Sequence, residues 1–254
     1  MAYSVAQLLA LFRGEVDDET DEDAGTDAER LMVSDVEAHA WLDEAQKQFA
    51  RRTLWFTDAS TPEIVSPRVV SGDAWVDLDP RILEIHNAAT VTGGVNLGLK
   101  SFDEMLRGNV GDDYGTVGAT GRWRTTTGKP TVLVLDMEPH KGRLVPIPDA
   151  DDTLALYVTR YPLCDVAPGV EDPLEVTDTL QQMLLVKRMK YHAYSKEDAD
   201  LFDADRARAN EAEFELGCRQ IRIQVDKKRR KLRNIRYGGI GGYNDVSLLD
   251  SPRS

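Results

Sequence analysis

The sequence predicts an α+β protein in which terminal α-helices form a helical bundle with a long C-terminal helix, and a mainly antiparallel β domain is inserted between them. Near both ends of the chain apolar residues recur every three or four positions, but between Ile64 and Arg160 they alternate with polar residues. We therefore predict four parts: 1–59 with N-terminal helices and an acidic loop, 60–162 with the β domain, 163–236 with C-terminal helices that complete the bundle, and 237–254 with a flexible tail.

The N-terminal part predicts two helices separated by acidic residues. A short helix is expected around Tyr3 to Arg13, and residues 15–30 then hold nine acidic side chains against one basic side chain. Ser34 and Glu37 have the spacing of a capping box, which predicts that a second helix begins there. Its expected core-facing stripe consists of Val36, Ala40, Trp41, Ala45 and Phe49.

The middle of the chain predicts strands. "AWVDLDP", "TVLVLDM" and "TLALYVTR" alternate apolar and polar residues, and "RILEIHNAATV" and "RLVPIP" indicate two more strands. "PDADD" at 148–152 is typical of a hairpin turn between the last two strands. Short sequential strands favour antiparallel pairing. The stretch from Gly108 to Lys129 has six glycines and predicts a loop that Trp123 anchors.

Two further helices are expected after residue 178. The first carries an apolar band that consists of Leu180, Met183, Leu184, Val186, Tyr191 and Tyr194. The second is predicted from Asp203 to Arg236, with a stripe of Phe214, Cys218, Ile221, Val225, Leu232 and Ile235. At 1.5 Å per residue it extends about 50 Å, so we expect its far end to project from the body or to pack against another subunit.

The end of this helix carries most of the clustered positive charge. The chain as a whole has a net charge of −13, yet residues 219–236 hold nine basic side chains against Asp226 alone. Such blocks are commonly solvated, but this basic block also matches the acidic block at 15–30 and can meet it within one chain or between copies. Four glycines between residues 238 and 242 then end the helix.

The sequence predicts no catalytic residue, no metal site and no cofactor. The four histidines lack ligand spacing, and the acidic run at 17–23 lacks the glycine and final glutamate of a calcium loop. Cys164 and Cys218 lie outside any paired motif, and Asp198 and Asp200 are typical of a helix start. No stretch approaches the ~20 apolar residues that span a bilayer, and no export leader is apparent, so we expect synthesis in a reducing cytoplasm.

Four stretches, in this order, resemble the head-to-tail adaptor proteins of tailed bacteriophages, also called tail accessory or head-completion proteins. They are "LMVSDVEAHAWLDEAQKQFARR", "LDPRILEIHNA", "LVPIPDADDTLALYVTRYPL" and "LLVKRMKYHAYSKEDADLFDADRARANEAEFE". The resemblance runs from about Leu31 to Glu215, and "AYSKEDAD" is its most specific piece.

The resemblance implies a structural protein of the virion and not an enzyme. Such adaptors form a twelvefold ring under the portal at the head–tail junction, extend the DNA channel through which the genome is ejected, and provide the platform for a tail or nozzle protein. Their C-terminal segments reach into the portal. The implied partners are therefore the portal protein, copies of the same chain, the next tail protein and the genomic DNA that passes through, without a membrane.

The basic end of the last helix then becomes the expected portal contact. A long helix that ends in basic residues has the form of a docking arm whose charges select an acidic groove. The predicted portal-contact residues are Lys227, Lys228, Arg229, Arg230, Lys231, Arg233, Ile235, Arg236, Tyr237, Ile240 and Tyr243. The alternative is a DNA-binding accessory protein that uses the same basic helix, although "KKRRKLR" has no aromatic residue for base stacking and the acidic total repels DNA.

Overall fold

The computed structural model describes residues 2–16, 33–106, 122–169, 174–196 and 201–234, and it describes side chains as far as residue 229. The helices are α1 (Val5–Glu15), α2 (Asp35–Thr53), α3 (Pro62–Val65), α4 (Phe102–Leu106), α5 (Thr179–Tyr194) and α6 (Ala204–Asn234). The strands are β1 (Thr57–Asp58), β2 (Arg68–Val69), β3 (Trp75–Asp77), β4 (Ile82–Thr90), β5 (Asn96–Ser101), β6 (Thr127–Gly128), β7 (Val132–Glu138), β8 (Lys141–Val145), β9 (Ile147–Pro148) and β10 (Asp152–Arg160). The predicted α+β class is confirmed.

The N-terminal helices begin as the sequence predicts, because capping boxes satisfy their first backbone N–H groups. The Ser34 hydroxyl accepts a hydrogen bond from the Glu37 amide, and the Glu37 carboxylate accepts one from the Ser34 amide. Ser4 and Gln7 form the same arrangement at the start of α1. The predicted capping box at residue 34 is therefore confirmed.

The buried face of α2 differs from the predicted stripe. Val36 is 67% exposed and Ala40 is also exposed, whereas the core-facing residues are Ala38, Leu42, Ala45, Phe49 and Ala50. The choice of Val36 and Ala40 was wrong because both lie on the side of the helix opposite to the buried face of Ala38, Leu42 and Phe49. Ala45 and Phe49 were predicted correctly.

The predicted apolar band of α5 was also partly wrong. Leu180 is 79% exposed, while Gln182 is buried. Gln182 donates hydrogen bonds to the carbonyl oxygens of Tyr3 and Val176, and its own side-chain oxygen accepts one from the Tyr3 amide. A buried polar side chain with these partners ties α5 to the start of the chain, and a pattern based on apolar residues alone does not find it.

The long last helix is confirmed from Ala204 to Asn234, which is 31 residues and about 46 Å. Its stripe is also confirmed as far as the described side chains extend, because Phe214, Cys218 and Val225 are buried and Ile221 is partly buried. Together α1, α2, α5 and α6 enclose one apolar core.

The sheet has the order β1-β10-β4-β5-β7-β8-β3, with β2 also paired to β10, and β6 and β9 form a separate pair. Most pairs are antiparallel, and β5–β7 and β6–β9 are parallel. Ala74, Val76, Leu154, Leu156 and Val158 are buried, as the alternating pattern predicts. The sheet has its own apolar core, and a smaller cluster lies under α4.

Three features of the sheet were not predicted correctly. The turn at 148–152 connects β9 to β10, but these strands are not paired with each other: β9 pairs with β6, and β10 pairs with β1, β2 and β4. A turn sequence indicates a change of direction but does not determine which strand becomes the neighbour. The strand β5 and helix α4 were missed, and β6 lies inside the expected loop, where Trp123 does pack as its anchor.

Candidate interaction surface

The candidate surface lies where the basic end of α6 meets the sheet. Phe214 and Cys218 hold α6 on the bundle core, Val225 is buried as well, and the basic residues follow directly after them. Because its apolar side is packed, the helix presents the remaining side chains in fixed directions. The position of the basic block is therefore set by the bundle core.

Two lysines of the block are exposed. These are Lys227 and Lys228. The Lys228 ammonium lies 5.3 Å from the centre of the Trp55 ring, a favourable cation–π arrangement. Trp55 comes directly after α2, so this contact joins the end of α6 to the end of α2.

Arg229 is bound within the chain by three groups. Its guanidinium donates hydrogen bonds to the Leu54 carbonyl oxygen at 3.0 Å and to the Thr159 hydroxyl at 2.8 Å, and it forms an ion pair with Glu84 at 3.3 Å. Leu54 has a φ of 51°, an uncommon conformation for a residue with a side chain. One arginine of α6 therefore contacts α2, β4 and β10 together.

The same contact affects a neighbouring histidine. His86 on β4 lies 2.6 Å from the Thr159 hydroxyl, which Arg229 also contacts. Burial lowers the pKa of His86, and the positive charge of Arg229 lowers it further. His86 is therefore neutral at pH 7, and it does not add positive charge to this surface.

These contacts modify the prediction for the far end of α6. As far as Arg229 the helix does not project from its own body, because Arg229 and Lys228 contact residues of the same chain. The side chains of Arg230, Lys231 and Arg233 lie outside the described part of the structure, as do residues 235–243 with the other predicted contacts. The portal contact stays a prediction for the whole set from Lys227 to Tyr243.

A second ionic contact joins the two cores. Arg160 at the end of β10 forms ion pairs with Asp58 at 2.6 Å and with Glu175 at 2.9 Å. Both Arg160 and Asp58 are buried. Burial raises the pKa of Asp58, but hydrogen bonds from Ser60, Thr61 and Arg160 outweigh this and hold the pKa well below its usual value. The charged pair is therefore maintained at neutral pH.

The described residues contain neither a metal site nor, at Cys218, a reactive thiol. Among the described residues, no three His, Cys, Asp or Glu side chains lie close enough to hold a metal ion. Burial raises the pKa of the Cys218 thiol to about 12, so it is protonated and a poor nucleophile at neutral pH. Asp203 caps α6 by accepting hydrogen bonds from the Asp205 and Arg206 amides. Asp198 and Asp200 lie outside the described residues.

Sequence reasoning missed the residues that receive the end of α6. Trp55 follows α2, Glu84 lies on β4 and Thr159 lies on β10, and these residues are separated by at least 29 positions. No local pattern connects them, because they come together only where Lys228 and Arg229 of α6 contact them. The only sequence signal was the excess of basic residues on α6, which predicts that some acidic or aromatic group receives them.

Comparison with protein families gives one match over most of the chain. The family described as SU10 adaptor protein matches residues 3–237. No curated protein matches the sequence. Within the described residues, every helix is too short or too polar to cross a membrane.

Proposed function

Because the chain belongs to the SU10 adaptor protein family, a family of phage head-to-tail adaptors, we propose that it forms a ring that docks under the portal, extends the DNA channel and carries the tail. The members of this family have a structural role, and they associate with portal and tail proteins at the head–tail junction of the virion. The finer parts of the proposal are the twelvefold ring, the docking on the portal and the passage of genomic DNA through the ring during ejection.

The observation that carries the proposal is the basic end of a helix anchored in the bundle. α6 is 31 residues long, and Lys227 and Lys228 are exposed next to Arg229, which is tied to the sheet. A fixed row of positive charge on an otherwise acidic protein favours a partner with a negatively charged groove, and it increases the rate of association with that partner. The segment after Asn234 then supplies Ile235, Tyr237, Ile240 and Tyr243 as proposed apolar contacts.

The alternative function, DNA binding by the same basic residues, is distinguished by its response to salt. Each lysine or arginine that neutralises a phosphate makes binding fall steeply as the salt concentration rises, whatever the DNA sequence. Docking on a portal instead combines charge with buried apolar contacts and responds less to salt. An acidic chain repels duplex DNA over most of its surface, which supports portal docking as the first proposal.

A charge-reversal experiment tests the docking surface. We expect the double variant Lys227→Glu/Lys228→Glu to bind purified portal rings about tenfold more weakly at low salt, because rim charges set the rate of approach. The matched control is Arg51→Glu/Arg208→Glu, which reverses two exposed charges outside the basic block at 219–236. A pull-down at two salt concentrations measures both variants against the natural chain.

The outcomes separate the two functions. Equal loss in both variants means that net charge alone matters and that the surface is not specific. Loss of duplex retardation in the test variant, with portal binding unchanged, assigns the basic residues to DNA instead. Selective loss of portal binding in the test variant supports the docking proposal.

A further inference from the structure

The sheet has an open edge beside β4. β5 pairs with β4 only at Ala88 and Ala89, and it then pairs with β7 until it ends at Ser101. Among the described residues, no strand pairs with the side of β4 that faces away from β10 between Ile82 and Asn87. Unpaired backbone N–H and C=O groups along such an edge are a template for a further strand.

A groove of about 510 Å³ lies along this edge. It is lined by consecutive residues, 82–85 of β4 on one side and 135–141 of β7, β8 and their turn on the other. Successive side chains of a strand point to opposite faces, so a pocket on one face would be lined by every second residue. Consecutive lining residues therefore place the groove at the strand edge, where its shape suits an extended chain.

The groove has apolar walls and an acidic rim. The partly exposed apolar side chains along it are Leu78, Ile82, Leu83, Ile85, Leu135 and Met137. Asp79, Glu84, Asp136 and Glu138 line it as well. Asp79 pairs with Arg81, Glu84 with Arg229 and Glu138 with Lys141, while Asp136 forms no ion pair with another described residue. The occupant that fits is an extended segment with mainly apolar side chains, and Asp136 can receive one base from it.

The end of α6 brings such a segment to the groove. Arg229 pairs with Glu84, a lining residue, and α6 ends five residues later at Asn234, about 7.5 Å along the helix axis. Residues 235–243 then read "IRYGGIGGY", with one arginine, four apolar or aromatic residues and four glycines. Glycine lets two backbones approach closely, and nine extended residues span about 30 Å, more than the six-residue edge requires.

We propose that residues 235–243 lie along the open edge of β4 in the same chain as an additional strand, with Arg236 at the acidic rim. This inference concerns the isolated protein and goes beyond the head-to-tail role, so it does not depend on portal docking. The segment contains proposed portal contacts, and a partner that takes them must first displace the strand. The groove then stores the segment until the partner arrives.

Hydrogen exchange on the purified protein tests the proposal without a portal. The full chain is compared with a chain that ends at Asn234, and exchange is followed in peptides that cover Ile82–Asn87. We expect the edge amides to exchange at least about tenfold more slowly in the full chain than in the shortened chain, because the added strand hydrogen-bonds to them. Peptides from β10 serve as the internal control and exchange alike in both chains. Equal exchange at the β4 edge overturns the proposal.

If the chain that ends at Asn234 is unstable, two variants of the full chain replace it in the hydrogen-exchange experiment. Tyr237→Glu/Ile240→Glu places charges in the apolar groove and is expected to abolish the protection, whereas Ser247→Glu/Ser251→Glu adds the same charge outside the segment and leaves it intact. Equal protection in both variants contradicts the proposed segment. Protection that increases with protein concentration assigns the strand to a neighbouring copy and overturns the assignment to the same chain.

Discussion

At the residue scale, Asp58 on β1 and Arg160 on β10 form a buried ion pair at the edge of the sheet. Both side chains are buried, and Arg160 also contacts Glu175 from the segment that leads into α5. The Glu175 carboxylate accepts a further hydrogen bond from the Leu163 amide. Removing one partner of a buried pair leaves an uncompensated charge, which is costly in a low-dielectric interior.

We predict that Asp58→Asn lowers the free energy of unfolding by about 3 kcal/mol at pH 7, because Arg160 loses its buried counter-charge. The pKa of Asp58 is lowered by folding, so its contribution is present above the unfolded value of about 4 and is lost as the pH falls below it. The difference between the natural chain and Asp58→Asn therefore shrinks below about pH 4. Urea denaturation at pH 7 and at acidic pH measures this.

The control for this prediction is Asp151→Asn. Asp151 forms an ion pair with Arg68, but both side chains are mostly exposed. Exposed pairs contribute little to stability, so the change is expected to leave unfolding almost unaffected. A difference for Asp58→Asn that stays constant from pH 7 to acidic pH would show that the carboxylate charge is not what stabilises this junction.

At the scale of elements, Gly217 on α6 leaves the space that the Leu184 side chain of α5 occupies. A Cβ atom at this position would lie 2.4 Å from a Leu184 methyl carbon, which is well inside van der Waals contact. We predict that Gly217→Val lowers the free energy of unfolding by about 1 kcal/mol, because the Leu184 side chain has to leave its packed position. Thermal or urea unfolding measures the loss. Leu216→Val, at an exposed neighbouring position, is the control and is expected to change little.

The attachment of α6 to the sheet depends on Arg229. Arg229→Ala removes the contacts with Leu54, Thr159 and Glu84, so we expect a loss of about 1–2 kcal/mol in the free energy of unfolding. Hydrogen exchange should also become faster in the last described turns of α6. Lys227→Ala removes an exposed base two positions away and serves as the control. Similar exchange in both variants would mean that Arg229 does not hold the helix to the sheet.

Elements with a strong local signal were predictable from the sequence, and those set by distant contacts were not. The capping box at Ser34 and the stripe around Phe214 were sufficient to place α2 and α6. β5 was missed because "NLGLKS" is short and contains a glycine, and its partner β7 lies about 35 positions away. The receiving side chains around Arg229 were also missed, since they belong to β4, β10 and the end of α2.

At the scale of the whole molecule, the two cores are joined by contacts that fix the basic surface in place. Arg160 joins β10 to the segment before α5, and Arg229 joins α6 to the sheet. As far as Arg229, the basic end of α6 is therefore held against the sheet and the end of α2. A defined position of this kind fits the ring that we propose, in which each copy would present the same surface to its neighbours and to the portal.

We expect the protein to assemble on the portal and not on its own. Each lateral contact between copies is expected to be weak, so the isolated protein remains mostly monomeric at low concentration. On a portal the contacts become effectively intramolecular, and their combined strength rises without any new interaction. Family membership gives the structural role, while the number of copies and the portal contact are our proposals.

The most direct test of the proposed function is electron microscopy of the purified protein mixed with purified portal rings. We predict an additional twelvefold ring on one face of the portal, with the basic end of α6 directed toward it, and a continuous central channel. Lys227→Glu/Lys228→Glu is expected to reduce the fraction of portals that carry the ring, and Arg51→Glu/Arg208→Glu is not. Portal rings that remain without added density at saturating protein, while the same preparation retards duplex DNA, would contradict the account.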